Sequence, residues 1–477
     1  MQEGATHLME QSEVAVTVPP TIRDIGTTWD RMMVTAPDAD LPKYEPTFAG
    51  IARALNVLEV GYSTGGARTG GRAVPSAGAI HPYECRVLTF EDDGLAAFHV
   101  DLDRRKCSRV SAPGAARVSL TTAGFAPLVP GAALLLVVSR PWLSMRKYGD
   151  RGYLYTQLDA AHLATNLLGA CTGCGFDGEL RLRFRRAPLM ELLGLHDRCR
   201  EVCAALQIGP GGPSAVPKSW AVRDARAPGA FERADDIAWW LERACWETVT
   251  PLTADEAPVA SPSRREPLVE LRRDLPIRAS SACETSWHAL SCVRTSAKQF
   301  LQGPPPPEAI LWRVLSACRT TLNTDLPAER SLQLTLVSRS PQETSADVLP
   351  LTRGAAAKAR PLDPADVVRA CMNQEHLRHA SAFVLFHAPR QRLLTGRPAQ
   401  IKESLFRAGA LAHLLYLGAA EAGLGITAIG GFDAERWRRL TGLPVDDEVI
   451  YVIALGTSDA AGAKWDRSEV TYAHGRP

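Results

Sequence analysis

The sequence lacks an excess of charge of either sign. It carries 54 Lys and Arg residues against 52 Asp and Glu residues, a net charge of +2, and no sustained run of basic residues. A protein that follows nucleic-acid phosphates needs a basic face or stripe. We therefore expect no nucleic-acid partner.

Long apolar runs and a secretory signal are also missing. The stretch GAALLLVV at residues 131–138 has the length of a strand, far short of the roughly 20 residues that cross a bilayer. The N-terminal residues lack a basic region followed by an apolar core. The sequence therefore predicts a cytoplasmic protein with no membrane partner.

The cysteines do not form the even, regular framework of a secreted disulfide-linked domain. There are 11 of them, and most lie within apolar patterns, which is typical of buried thiols in a reducing compartment. Cys171 with Cys174 and Cys199 with Cys203 have spacings that also occur in zinc sites. Because the first pair lies in an apolar helical run, where cysteine acts as a small hydrophobe, we predict no metal site.

What the chain does contain is a pattern that occurs twice. Its 477 residues are enough for two or three domains. A helical run rich in small residues ends at Gly175 and a short helix ends at Gly194, and both recur 248 residues later, at Gly423 and Gly442. The element order matches as well, so we interpret the two halves as a tandem duplication.

A connector separates the repeats. Residues 213–266 combine an amphipathic helical pattern with a stretch rich in Pro, Ser and Ala. We therefore predict an α+β protein with domains at residues 1–212 and 267–477 and a linker at 213–266. If the ancestor was a homodimer, the fused chain is a pseudo-twofold dimer, for which a monomer would suffice.

One loop is unusual for its small residues. Residues 75–82 read PSAGAIHP and precede a strand-like run. Small residues in irregular backbone let a flat or charged group approach the main chain. On this stretch alone, an ordinary surface loop is an equally good interpretation.

Four stretches together resemble the nitroreductase superfamily. They are PSAGAIHP at 75–82, RKYGDRGYLYTQLDAAHLATNLLGA at 146–170, MNQEHLRHASAFVLF at 372–386 and GAAEAGLGITAIGGF at 418–432. The PSAGA loop and the Lys147-Tyr148 pair narrow the resemblance to the azoline dehydrogenase branch, which acts on thiazole- and oxazole-modified ribosomal peptides. The resemblance implies two tandem nitroreductase-like FMN-binding domains forming an intrachain pseudo-dimer, with each FMN site built from both subunits.

A second motif, CVRTSAKQF at 292–300, resembles the superfamily's phosphate grip, with Lys298 where arginine is usual. Arg294, Ser296 and Lys298 alternate and point the same way if the stretch is extended, although that spacing alone is more often a solvated face. The first half lacks this grip, and the second half lacks the PSAGA loop and the Lys-Tyr pair. Complementary halves therefore predict one complete FMN site and one vacant pseudo-site.

The resemblance assigns roles to individual residues. Lys147 is the candidate base, provided that its surroundings favour the neutral amine, and Tyr148 relays or orients; a Lys-Tyr pair in a polar loop is by itself more often solvent-facing. His81 is positional rather than catalytic, and Lys464 and Arg467 add phosphate contacts. The cofactor-binding residues are Pro75, Ser76, Ala77, Gly78, Ala79, His81, Arg294, Ser296, Lys298, Gly430, Gly431, Lys464 and Arg467.

Three functions remain open at this point. The first is an FMN-dependent azoline dehydrogenase whose partners are an azoline-containing precursor peptide and a cyclodehydratase complex or leader-binding protein. The second is a flavin reductase that uses NAD(P)H to reduce nitro groups, quinones or dehydroamino acids, although no G-x-G-x-x-G follows a strand to form a separate nicotinamide domain. The third is an inactive peptide-binding scaffold.

Overall fold

The structure is a computed structural model that describes residues 49–62, 72–91, 94–102, 105–110, 120–195, 200–212, 214–223, 264–277, 282–327, 331–339, 344–354, 356–395, 398–459 and 463–464. Three features of the sequence lie outside these residues: the connector helix, Cys199 and Arg467.

The elements of the first half surround one long helix. In chain order they are α1 (Ala49–Tyr62), β1 (Tyr83–Glu91), β2 (Gly94–Asp101), β3 (Lys106–Val110), β4 (Ala133–Ser139), α2 (Pro141–Tyr148), α3 (Arg151–Gly173), β5 (Gly178–Arg181), α4 (Arg186–Leu192), β6 (Glu201–Ile208) and β7 (Ala221–Arg223).

The second half is built in the same way. Its elements are β8 (Arg264–Pro267), α5 (Ala282–Val293), β9 (Ser296–Ala297), α6 (Glu308–Ser316), β10 (Thr321–Thr324), β11 (Gln333–Arg339), β12 (Ser345–Pro350), β13 (Lys358–Pro361), α7 (Pro364–Ala370), β14 (Ala382–Pro389), α8 (Arg390–Thr395), α9 (Pro398–Ala422), β15 (Gly425–Ile429), α10 (Ala434–Thr441), β16 (Asp447–Gly456) and β17 (Ala463–Lys464).

The two halves share one strand order, which confirms the predicted α+β class. The first sheet contains β3-β2-β1-β4-β6-β5 and the second contains β13-β12-β11-β14-β16-β15, with every neighbouring pair antiparallel. The pairing register shifts at Val137/Val138 in one sheet and at Phe386/His387 in the other. The repeat seen in the sequence is therefore also a repeat of topology.

The first sheet extends past the predicted domain boundary. Strand β10 runs parallel to β5, and β8 pairs antiparallel with β10, so two strands of the second half lengthen the sheet of the first. The boundaries at 212/213 and 266/267 stay a prediction. Because strands of the second half are part of the first sheet, the two halves share this one continuous sheet.

The two long helices α3 and α9 meet at the centre. They are apolar on nearly all sides, as expected of helices that are buried all round, and most of their leucines belong to one core cluster. A Cβ on Gly409 would lie 2.7 Å from the Ala161 Cβ, so the backbones are nearly in contact there. Because Gly409 follows Ala161 by 248 residues, corresponding positions meet, as they do across a twofold axis.

None of the helices within the described ranges is both long and apolar enough to cross a membrane. The same part of the chain holds no group of three His, Cys, Asp or Glu residues arranged to bind a metal ion. Cys171 and Cys203 are buried free thiols.

Candidate active site

The PSAGA loop is held in shape by a carboxylate from α3. The Ser76 Oγ donates to Asp159 Oδ2 at 2.6 Å, and the Ala77 amide donates to both carboxylate oxygens at 3.2 Å. The Ser76 Oγ also accepts from the His81 amide at 2.8 Å. These bonds stabilise a backbone in which Gly78, Ala79 and His81 all have positive φ, of 62°, 55° and 50°, a conformation that costs free energy for residues other than glycine.

Asp159 was missed by the sequence analysis. Its side chain is 3% exposed, and burial raises the pKa of its carboxyl to about 7, against the opposing effect of the bonds from Ser76 and Ala77. One signal could have found it: between residues 158 and 170 it is the only residue with a carboxylate in an otherwise apolar run. A lone acid on a buried helix face needs hydrogen-bond donors from elsewhere.

Lys147 and Tyr148 lie against Gly78. They are the last two residues of α2, and a Cβ added to Gly78 would collide with the Tyr148 hydroxyl and lie 2.7 Å from the Lys147 Nζ. The Lys147 Nζ is also 5.2 Å from the centroid of the Tyr148 ring. Burial, with Asp159 and Tyr155 adding to it, raises the pKa of Tyr148, so its phenol is a proton donor in hydrogen bonds rather than a base.

The second half reaches this point through Gly430 and Gly431. Tyr155, whose ring packs edge-on against Tyr148 at 5.1 Å, donates its hydroxyl hydrogen bond to the Gly430 carbonyl. The Gly431 carbonyl accepts from the Gln374 side chain at 2.7 Å. Tyr155 therefore connects the glycine pair with the Lys-Tyr pair.

Arg294 binds the backbone that leads into the PSAGA loop. Asn166 on α3 accepts hydrogen bonds from Trp287 at 2.7 Å and Ser291 at 2.8 Å, which docks α5 on the first half. Arg294 follows the end of that helix and donates to the carbonyls of Arg72 and Ala73, at 2.9 Å each. The phosphate-grip segment of one half thus touches the loop of the other.

Arg294 is a buried cation without a carboxylate. Its side chain is 5% exposed, and its remaining neighbours are the Ser296 Oγ at 3.5 Å and the Tyr416 ring at 5.5 Å. No carboxylate lies within ion-pair distance of it in the described ranges. Buried charges are normally paired, so this guanidinium can receive an anion.

The structure also describes four other predicted site residues: Ser296, Lys464, Lys298 and Pro75. Ser296 is 3.0 Å from the Tyr416 hydroxyl, and Lys464 is opposite it in the β9–β17 pair. Lys298 is exposed, whereas the buried Arg294 has its guanidinium 3.5 Å from the Ser296 Oγ, and the common role of the three residues stays a prediction. Pro75 is buried at the start of the loop.

His81 is buried, and its two ring nitrogens differ in their hydrogen bonding. Its Nδ1 is 2.9 Å from the Tyr83 hydroxyl, and its Nε2 has no hydrogen-bond partner among the described atoms. Burial, together with the charges of Arg72 and Arg294, lowers its pKa well below the usual range. The ring is therefore neutral and offers one unused hydrogen-bonding atom beside the loop.

The corresponding region of the second half is filled by ion pairs. Arg407 lies 248 residues after Asp159, and Glu403 lies 248 residues after Tyr155. Glu403 binds Arg183 through two hydrogen bonds of 2.7 and 3.0 Å and also pairs with Arg407 at 3.4 Å. Asp325, in the segment that corresponds to the PSAGA loop, accepts from the amides of Leu182 and Arg183 and from Arg181.

Comparison with known proteins identifies the fold. Residues 293–457 match the model of the nitroreductase family. This part of the chain is therefore similar to nitroreductase-family domains. The crystal structure of a protein assigned to the nitroreductases from Anabaena variabilis is similar over 85% of this chain and 88% of that chain, with a TM-score of 0.58 and 18% identity. The nitroreductase-like fold therefore extends through both halves.

Two further structures match shorter parts of the chain. One is an FMN-dependent nitroreductase from Clostridium difficile, with 15% identity, 35% of this chain and 84% of that chain covered, and a TM-score of 0.23. The other is the microcin synthetase complex of E. coli with a truncated precursor bound, with 14% identity, 38% and 72% covered, and a TM-score of 0.27. No curated protein matches the sequence.

Proposed function

We propose that this chain is an FMN-dependent dehydrogenase that acts on a ribosomally synthesised peptide. It would oxidise the azolines of that peptide, which are thiazolines or oxazolines, to azoles. The observation that carries the proposal is the position of Lys147 and Tyr148 against Gly78 of the PSAGA loop, while the buried guanidinium of Arg294 binds the backbone that leads into the same loop. One basic group, one phenol, a small-residue loop and an anion-binding cation are what this chemistry requires of a protein.

The residues present suit FMN. Its phosphate needs cations and hydroxyl donors, which Arg294 and Ser296 would supply from the second half, with Lys298 as an exposed cation two residues further along the chain. Its flat ring needs close access to the main chain, which the loop at 75–79 and the pair Gly430-Gly431 allow. The unused His81 Nε2 adds a hydrogen-bonding atom beside the loop. Complementary halves would thus hold one FMN per chain.

Aromatising an azoline removes a proton from one ring carbon and a hydride equivalent from its neighbour, and FMN, when bound, would supply the hydride acceptor. Lys147, in its unprotonated form, would take the proton from the carbon. Tyr148 keeps its own proton, because its pKa is raised, and would donate a hydrogen bond that orients the heterocycle or the Lys147 amine. The protein's part is to place these groups and exclude water.

The test uses the purified full chain. Flavin released on denaturation is quantified per chain, and the protein is then incubated with a synthetic peptide that contains one thiazoline, with mass spectrometry to detect the loss of two hydrogens. We expect one FMN per chain and formation of the thiazole. Parallel assays supply NAD(P)H with a quinone or a nitroarene.

Each alternative predicts a different result. Rapid NAD(P)H oxidation with no change in the peptide would replace the dehydrogenase by the flavin reductase. A protein that takes up no flavin after reconstitution would be the inactive scaffold. Two FMN per chain would contradict the single composite site. Requirement for a leader peptide or a cyclodehydratase is tested by adding each to the same assay, which would identify the proposed partners.

A further inference from the structure

We infer that Asp159 is a positioning residue for the proposed reaction: its carboxylate fixes the loop at 75–79 in the shape that sets Gly78 against Lys147 and Tyr148. The inference rests on the proposed function for its catalytic meaning. Its structural content, that this carboxylate orders this loop, can be tested without substrate.

The contacts of Asp159 are directed at the loop alone. Both carboxylate oxygens accept the Ala77 amide, and one also accepts the Ser76 hydroxyl. Ser76 in turn accepts the amide of His81, so one side chain controls both ends of the turn that contains Gly78. Losing it would release the donors that hold three positive φ angles in place.

Packing does not account for a carboxylate at this position. Asp159 is almost fully buried on α3, and no cation lies within ion-pair distance of it in the described part of the chain. Burying a carboxylate without a counter-charge costs free energy that a neutral side chain would not. The loop donors are what compensate for this cost.

The second half supports the assignment by contrast. The residue 248 positions after Asp159 on the equivalent helix is Arg407, which donates to the Pro327 carbonyl at 2.7 Å. There the carboxylate, Asp325, belongs to the loop segment itself and binds backbone amides of the first half. At this position of the central helix, a carboxylate therefore occurs in the half that carries the PSAGA loop and not in the other half.

The groups that face Asp159 also set its response to pH. Ser76 and Ala77 of the loop donate to it, its charge adds to burial in raising the pKa of Tyr148 on α2 and of Tyr451 on β16, and the Lys147 amine lies against Gly78 of the same loop. Burial is the largest cause of its own raised pKa, so the carboxyl protonates as the pH falls through about 7. An ionised carboxylate is the stronger acceptor, and we expect the loop to be better ordered above this pH than below it.

The experiment measures amide hydrogen exchange in the flavin-free full chain, in the peptide that spans residues 72–84, at about pH 6 and about pH 8 after correction for intrinsic exchange rates. The variants are Asp159→Asn and Asp325→Asn, which both remove a buried carboxylate. FMN affinity is then measured for each. Charge-assisted hydrogen bonds of this kind predict exchange about 10-fold faster and FMN binding about 10-fold weaker in Asp159→Asn.

The control separates a local effect from general destabilisation. Asp325→Asn should lower the melting temperature yet leave exchange in residues 72–84 and FMN affinity within about 2-fold of the wild type. The pH difference in exchange should vanish in Asp159→Asn and persist in Asp325→Asn. If Asp159→Asn does not fold, Ser76→Ala removes the bond from the loop side and should accelerate exchange in the same peptide.

The outcomes distinguish this inference from the proposed function. Exchange that is equal in Asp159→Asn, Asp325→Asn and the wild type would overturn the positioning role, whatever the enzyme does. Altered exchange in a protein that binds FMN but oxidises no azoline would uphold the role and remove the dehydrogenase. Normal azoline oxidation by Asp159→Asn with fast exchange would show that the loop's order is not needed for the reaction.

Discussion

The two corresponding regions of this molecule differ in what they leave unpaired. Around the PSAGA loop, the partners of Arg294 among the described residues are backbone carbonyls, a hydroxyl and an aromatic ring, and those of the Asp159 carboxylate are loop donors. In the second region, Arg181 and Arg183 of the first half and Arg407 of the second lie against Asp325 and Glu403. One region keeps a buried cation available for a ligand, whereas the other has matched its cations with its own carboxylates.

This difference teaches that a repeated fold does not repeat its site. Each region lies beside a sheet with the same strand order and beside one of the two equivalent central helices, α3 and α9. The architecture alone would therefore give each region a ligand. We propose that charge pairing distinguishes them, because an anionic ligand gains little from guanidinium groups that are already neutralised. The comparison can be tested by removing each region's polar groups in turn.

The largest effect is expected at the proposed base. Lys147→Ala should lower the rate of azoline oxidation by about 100-fold or more, the usual contribution of a general base, with FMN content unchanged. The matched control is Arg392→Ala, on α8, which follows β14 as α2 follows β4. A variant of Lys147 that keeps full activity at saturating peptide would remove this residue from the mechanism.

The next effect concerns the flavin. Arg294→Ala removes a buried guanidinium that binds the carbonyls of Arg72 and Ala73 just before the loop, and hydrogen bonds from charged groups predict a loss of about 10- to 100-fold in FMN affinity. Arg183→Ala, in the second region, should leave FMN per chain and its affinity unchanged. Titration of the flavin-free protein with FMN measures both. Weaker binding in Arg183→Ala would show that the second region takes part in flavin binding.

A glycine pair refines the comparison within the first half. Gly78→Ala places a Cβ against the Lys147 amine and the Tyr148 hydroxyl, and Gly175→Ala meets no atom within 4 Å, yet both glycines have positive φ. Both variants should lose about 1 kcal/mol of unfolding free energy, measured by urea denaturation. Gly78→Ala alone should also lose about 10-fold in azoline oxidation, because a displaced catalytic group is costly. Equal activity in the two variants would separate Gly78 from the site.

Local patterns in the sequence were enough for the fold class and for the repeat, because small-residue helices and buried strands leave periodic signals. They were also enough to place the PSAGA loop and the segment after α5 in opposite halves. The side chain that organises the loop was not predicted, since Asp159 is 83 residues from Ser76 in the chain. The addition of β10 and β8 to the first sheet was missed for the same reason: strand pairing between halves has no local signature.

The smallest effect is expected from the ion pairs of the second region. Glu403→Gln weakens the double hydrogen bond with Arg183 and the pair with Arg407, which lies fully buried. Because Arg183 remains 23% exposed, water compensates part of the loss, and we expect the unfolding free energy to fall by about 1 kcal/mol. Azoline oxidation and FMN per chain should not change. If Glu403→Gln instead gains a second FMN, the ion pairs are what keep this region closed to flavin, and the difference between the two halves would depend on one carboxylate.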